Sequence, residues 1–231
     1  MKAVLFDLDN TLIMKQPTIP DEWHRVLSEG GFDVSVEDVH RAYAACEFWA
    51  GEQTLIENKS GVRMSDDEFL HGVINCCITH LKLPDSMKDL LIPAWIGDYQ
   101  KQYMVLEGVY EVLQKLRERK LLLGIVSNNR ASVRSVLEEL KLSDYFSTIV
   151  ISEEVGLYKP DPQILLLACE RLGVTPAESV YIGDHPFDVL CAHEAHMRAA
   201  WIPFNEYMRL PQGVEEPEHR VNSLEELMPL L

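Results

Sequence analysis

The residues best suited to chemistry lie close to the start of the chain. Phe6-Asp7-Leu8-Asp9-Asn10-Thr11-Leu12 directly extends a short apolar run, Ala3-Val4-Leu5-Phe6. Side chains two apart on a strand point the same way, so Asp7 and Asp9 converge on one site if the run is a strand. Two neighbouring carboxylates repel unless they share a cation or a proton. Mg²⁺, a hard ion that seeks oxygen ligands, suits such a pair. With Mg²⁺ and a phosphate bound, one carboxylate can attack phosphorus and the other can move a proton. The plainer alternative is a polar strand end followed by a turn.

That chemistry needs a strand that ends at an open sheet edge, because ligands of α/β sheets bind at the carboxyl ends of the strands. The chain supplies the pattern for such a sheet. Compact apolar runs recur at 121–126, 148–151 and 180–183, with a weaker fifth at 199–202. Runs of this kind suit strands buried on both faces of a parallel sheet. Helix-like segments lie between them, at 109–119, 131–140, 162–172 and 186–197. In the first of these Val109, Val112, Leu113 and Leu116 share one face. Strand then helix, repeated, predicts an α/β fold with a Rossmann-like, doubly wound parallel sheet of five or so strands.

Residues 15–103 break the rhythm, with helix-like pieces and no convincing strand. The clearest piece is 66–81, where Phe69, Val73, Ile74 and Cys77 fall on one face. Ser65 fits its N-cap, with Glu68 as the capping-box partner. The expected organisation is a core of 1–14 and 104–231 with an all-α insert at 15–103.

Composition narrows the partners. The 231 residues carry 21 Lys+Arg against 37 Asp+Glu, a formal charge of −16. Clustered cations are what hold phosphate backbones and anionic lipids, so neither a nucleic-acid polymer nor a membrane surface is expected as a partner. The first apolar run is too short for a secretory signal, and a cytoplasmic location is expected. Cys46, Cys76, Cys77, Cys169 and Cys191 are odd in number and lack zinc or redox spacing, which predicts free thiols.

Asp-Leu-Asp-Asn-Thr-Leu resembles the first motif of the haloacid dehalogenase (HAD) superfamily, whose members are mostly phosphatases. Three later segments match in order. Ile125-Val126-Ser127-Asn128-Asn129 looks like motif two, Lys159-Pro160-Asp161-Pro162 like motif three, and Ile182-Gly183-Asp184-His185-Pro186-Phe187-Asp188 like motif four. The likeness runs to about residue 202 and leaves out only the insert and the tail.

The resemblance implies roles. Asp7 would be the nucleophile that forms an aspartyl-phosphate. Asp9 would protonate the leaving alcohol and then activate water. Thr11 would orient the loop and face phosphate; a simple turn hydroxyl is the alternative. Ser127 and the backbone N–H of Asn128 would hold a phosphoryl oxygen, although Ser127 also suits a helix N-cap. Lys159 would neutralise charge at the phosphoryl group. Asp184 would join Asp7 and the Asp9 carbonyl around Mg²⁺; its alternative is to cap the helix that begins near Pro186. Asp188 would support that shell or orient Lys159. Dehalogenases of the superfamily lack the second carboxylate of motif one, so Asp9 favours a phosphate monoester.

Two positions depart from the family pattern. Asn10 and His196 stand where relatives often carry Gly. His193 and His196 are three apart and read as one helix face without zincin spacing. His185 lies beside the implied site. The insert resembles the caps that close over substrate in this superfamily, with Trp49, Gln53, Asn58, Lys59 and Arg63 as candidate contacts. The resulting expectation is an Mg²⁺-dependent phosphatase of small phosphorylated molecules, among them nucleotides, phosphoglycolate and sugar phosphates. A phosphomutase and a non-catalytic small-molecule-binding protein are the alternatives.

Overall fold

A computed structural model describes residues 1–96 and 102–230. The chain begins with β1 (Ala3–Phe6) and β2 (Ile13–Gln16), followed by helices α1 (Ile19–Glu29), α2 (Val36–Ser60), α3 (Asp66–Leu81) and α4 (Lys88–Ile96). It continues with β3 (Gln102–Val105), α5 (Val109–Glu118), β4 (Leu122–Ser127), α6 (Val133–Glu139), β5 (Thr148–Ile151), α7 (Ser152–Val155) and α8 (Gln163–Leu172). It ends with β6 (Ser179–Gly183), α9 (Pro186–Glu194), β7 (Arg198–Trp201), β8 (His219–Arg220) and α10 (Leu224–Leu227).

Six strands form one parallel sheet in the order β5-β4-β1-β6-β7-β8. Helices cover its faces, which is why the strands read as unbroken apolar runs. Val4, Phe6, Ile125 and Ile182 are buried in the core, each worth roughly 1.5–3 kcal/mol of transfer free energy. The strand order reverses at β1, which has β4 on one side and β6 on the other. Such a switch point opens a crevice at the strand ends. Phe6 is level with both Ile125 and Ile182, so the residues that follow each strand emerge together at that edge. The sixth strand, β8, has two residues, too few to leave a periodic signal.

The chain divides into two compact units. The larger comprises Met1–Met14, Tyr103–Phe204 and Arg209–Leu231, and the smaller Lys15–Gln102 with Asn205–Met208. Tyr103 thus falls in the larger unit. Asn205–Met208 joins the helices for a local reason: the Asn205 amide donates to the His40 carbonyl at 2.8 Å, and the Arg41 guanidinium lies 4.3 Å from the Tyr207 ring centre. The insert's margins also hold strand, since β2 and β3 pair as a second, two-stranded sheet.

Within the smaller unit, α3 begins as its sequence requires. Ser65 accepts from the Glu68 N–H at 3.2 Å, and the Glu68 carboxylate accepts from the Ser65 N–H at 2.8 Å. The α2 and α3 helices pack closely at Gly72, where a β-carbon would lie 2.1 Å from the Trp49 ring. Trp49 also meets Phe69, and Arg63 pairs with Glu57 and Asn58. These three candidate contacts thus have structural partners inside the helical unit itself.

Candidate active site

The site is built on the ends of β1, β4 and β6. Asp7 follows β1, and its N–H continues the sheet by donating to Ile182 O at 2.8 Å. The chain then turns tightly, with Leu12 N–H bonding Leu8 O at 2.9 Å and Asn10 N–H bonding Ile13 O at 2.6 Å. Asn10 sits at φ 56°, in the left-handed region that Gly favours and Asn tolerates.

Lys159 is the hub. Its Nζ donates to Asp7 Oδ1 at 2.7 Å, to Asp188 Oδ1 at 2.7 Å and to the Tyr181 hydroxyl at 2.8 Å. Three partners use all three ammonium donors. Tyr181 in turn donates to Val126 O at 2.8 Å, which fixes its ring inside the sheet. Burial works against the Lys159 charge, but Asp188 and Asp7 outweigh it and raise its pKa. For Asp7 the balance goes the other way: burial raises its pKa, and the pull of Lys159 does not fully offset that.

Asp188 lies in the first turn of α9, and its Oδ2 accepts from the His185 N–H at 3.1 Å. It reaches the strand end because residue 183 is Gly: a β-carbon there would lie 2.2 Å from Asp188 Oδ2. The Asp184 carbonyl accepts from Trp201 Nε1 at 2.7 Å. One carboxylate oxygen each from Asp7, Asp184 and Asp188 lies within 4.8 Å of the others, all three residues buried. This is an all-oxygen cluster of the type that suits a hard divalent cation.

Asp9 is held from the other side. Asn129 Nδ2 donates to Asp9 Oδ2 at 2.6 Å. Ser127 ends β4 and is buried. It caps no helix, because α6 starts later, after Ser132. Nor does Asp184 cap α9, whose N-cap is His185. The Asn128 side chain bonds the Lys159 backbone through both of its ends. Thr11 is buried, and its hydroxyl has no partner among the described residues.

His185 enters this network through its backbone N–H, and its ring has other partners. His185 Nδ1 accepts from the Phe187 N–H at 3.2 Å, and its ring stacks on Phe187. The α9 helix ends at Glu194, so His193 and His196 share no helix face; His196 lies beyond it at φ 56°. His193 instead faces Glu218 at 3.6 Å. Sequence reasoning missed Tyr181, Gly183 as a clearance, Asn129 and Trp201. Tyr181 and Trp201 were hidden inside apolar strand runs. Asn129 is the last residue of motif two, and that membership was its one available signal.

The match to known proteins covers this whole arrangement. The family model for haloacid dehalogenase-like hydrolases matches residues 4–202. The chain belongs to that family. This HAD hydrolase is 25% identical over 232 residues to a phosphoglycolate phosphatase of Pseudomonas putida, covering 99% of the chain and 79% of that protein. It is 31% identical over 154 residues to (S)-2-haloacid dehalogenase 4A of Burkholderia cepacia, covering 66% of the chain and 64% of that protein. It also superposes on the crystal structure of a HAD phosphatase from Thermococcus onnurineus, with a TM-score of 0.59 and 26% identity, covering 100% of this HAD hydrolase and 97% of that chain.

Proposed function

We propose that this HAD hydrolase is an Mg²⁺-dependent phosphatase of small phosphate monoesters that works through an aspartyl-phosphate on Asp7. The observation that carries the reading is the second carboxylate. Asp9 stands two residues from Asp7 and is anchored by Asn129 at 2.6 Å. Displacing halide needs no proton donor, whereas expelling an alcohol does.

The donor set fits Mg²⁺. Three buried carboxylates cluster here, and Asp7 and Asp188 share the ammonium of Lys159, an excess of negative charge that a divalent cation would balance. Asp7, Asp184 and the carbonyl of Asp9 would hold it. Asp188 is assigned elsewhere, because its oxygens already accept from Lys159 and from the His185 N–H. When bound, the cation supplies charge neutralisation at the phosphoryl oxygens.

The protein's own groups then divide the work. An Asp7 carboxylate oxygen attacks phosphorus as the ester P–O bond breaks, and Asp9 delivers a proton to the departing alkoxide. Asp9, now a carboxylate, takes a proton from water as that water attacks the phosphoryl group, releasing phosphate and restoring Asp7. Lys159 steadies the charge that gathers on the phosphoryl oxygens. Ser127, the Asn128 N–H and the Thr11 hydroxyl supply further donors, and a buried hydroxyl without a partner is suited to a ligand oxygen. In this reading the helical unit is the cap that selects the leaving group.

The test is phosphate release from nucleoside monophosphates, sugar phosphates, phosphoglycolate and p-nitrophenyl phosphate, with Mg²⁺ and with EDTA. Release that needs Mg²⁺ is the expected result. Halide release from a 2-haloacid, or phosphoryl transfer between sugars without free phosphate, would overturn the proposal.

A further inference from the structure

We infer that Asn129 is a positioning residue that aims Asp9 for its proton transfers. The inference rests on the phosphatase reading above. Asn129 belongs to a different strand end from Asp9 and lies 120 residues away in sequence, yet its Nδ2 donates to Asp9 Oδ2 at 2.6 Å.

The orientation of the Asn129 amide is fixed by its other end. Asn129 Oδ1 accepts from the Arg130 N–H at 2.9 Å, so Nδ2 is the end presented to Asp9. The backbone is pinned as well. The Asn129 N–H donates to Ser152 Oγ at 3.0 Å, and the Ser152 hydroxyl donates back to Asn129 O at 3.2 Å. Glu153 N–H reaches the same carbonyl at 3.3 Å. Ser152 is itself buried, at the start of α7. A sequence-distant chain segment thus holds the amide rigidly, and the amide holds the carboxylate.

An amide nitrogen can only donate. Oδ2 of Asp9 is therefore kept as an acceptor, and the proton in transit belongs on the other carboxylate oxygen. Losing this contact would remove the hold that fixes Oδ2 of Asp9 while leaving Asp7, Lys159 and Ser127 in place. The consequence is selective. Steps in which Asp9 moves a proton slow, whereas attack by Asp7 on an ester with a leaving group that needs no proton does not.

The experiment compares wild type and Asn129→Ala on phosphoglycolate, an alkyl ester, and p-nitrophenyl phosphate, by stopped flow with Mg²⁺ present. For the alkyl ester, kcat is expected to fall about 100-fold with KM unchanged, within the range of general acid–base contributions. For the nitrophenyl ester, the first turnover should stay within about threefold of wild type while later turnovers slow, giving a nitrophenol burst of one per site. Ser152→Ala should show the same pattern more weakly. An equal loss in both phases and on both esters, or no loss, overturns the inference. A wild type that releases phosphate from neither ester removes the underlying reading, and the inference falls with it. Asn129→Asp, which sets a carboxylate against Asp9, is the second variant should Asn129→Ala fail to fold, and the same pattern is expected of it.

Discussion

Asn128 grips the backbone of Lys159 at both ends of one amide. Its Nδ2 donates to the Lys159 carbonyl at 2.9 Å, and its Oδ1 accepts the Lys159 N–H at 2.8 Å. The contact joins the end of β4 to a loop 31 residues later and sets where Lys159 leaves the backbone. The ammonium of that residue then meets Asp7 and Asp188. Motifs that look separate in sequence are one hydrogen-bonded unit.

Asn128→Ala breaks this grip and leaves one N–H and one C=O without their partner. A loss of about 1–3 kcal/mol is expected by urea unfolding, as for unsatisfied backbone groups. Catalytic turnover should fall about tenfold, because a displaced ammonium loses part of its transition-state interaction. Unchanged stability and turnover would show that the loop holds itself.

Gly183→Ala adds one methyl group and no chemistry. Its β-carbon would lie 2.2 Å from Asp188 Oδ2 and 2.6 Å from Asp188 Cγ, so Asp188 must move. The ion pair with Lys159 moves with it. The expected outcome is a stability loss of about 1–3 kcal/mol, typical of overpacking, with turnover falling at least tenfold. Phosphate-release kinetics and urea unfolding check both parts.

His196→Gly should stabilise the protein by about 0.5–1 kcal/mol. His196 is exposed and sits at φ 56°, where a β-carbon is strained. Gly relieves the strain but loses more entropy on folding, so the net gain is smaller than the strain itself. A shifted urea midpoint with an unchanged slope is the predicted signature.

Cys76 should react first among the five thiols. Cys46 and the neighbouring His80, 3.7 Å away, bring its pKa down to about 6, against the opposing effect of partial burial. The thiolate is the nucleophile, so alkylation by iodoacetamide should rise as pH increases through about 6 and level off above it. Cys191 and Cys169 are buried and held up, so they should lag. Mass spectrometry of labelled peptides across pH reads both statements. A midpoint near the ordinary value of 9.0 would contradict them.

The sheet was legible because parallel strands buried on both faces leave apolar runs, and the runs at β1, β4, β5, β6 and β7 did so. The two residues of β8 left none. The start of α3 was readable because Ser65 and Glu68 write its capping box into the sequence. The attachment of Asn205–Met208 to the helical unit was not readable, since it depends on His40 and Arg41 far back in the chain. At the site, Asp7, Lys159 and Asp188 could be named by resemblance, and the structure brings them together. The partners that hold them could not. Tyr181 looks like any core strand residue until its hydroxyl is found between Lys159 and Val126. Asn129 carries no pattern that points to Asp9. Both unusual residues at Gly-favoured positions, Asn10 and His196, proved to share the left-handed backbone that makes Gly common there.

The central claim is that the phosphoryl group passes through Asp7, and chemical trapping tests it most directly. The protein is mixed with phosphoglycolate and Mg²⁺, quenched within the first turnover, and reduced with borohydride, which converts an acyl phosphate to an alcohol. Peptide mass spectrometry then finds the altered residue. The account predicts homoserine at position 7, and none without substrate or in Asp7→Asn, which should release no phosphate. Steady phosphate release with Asp7 unmodified, or undiminished release by Asp7→Asn, would contradict it.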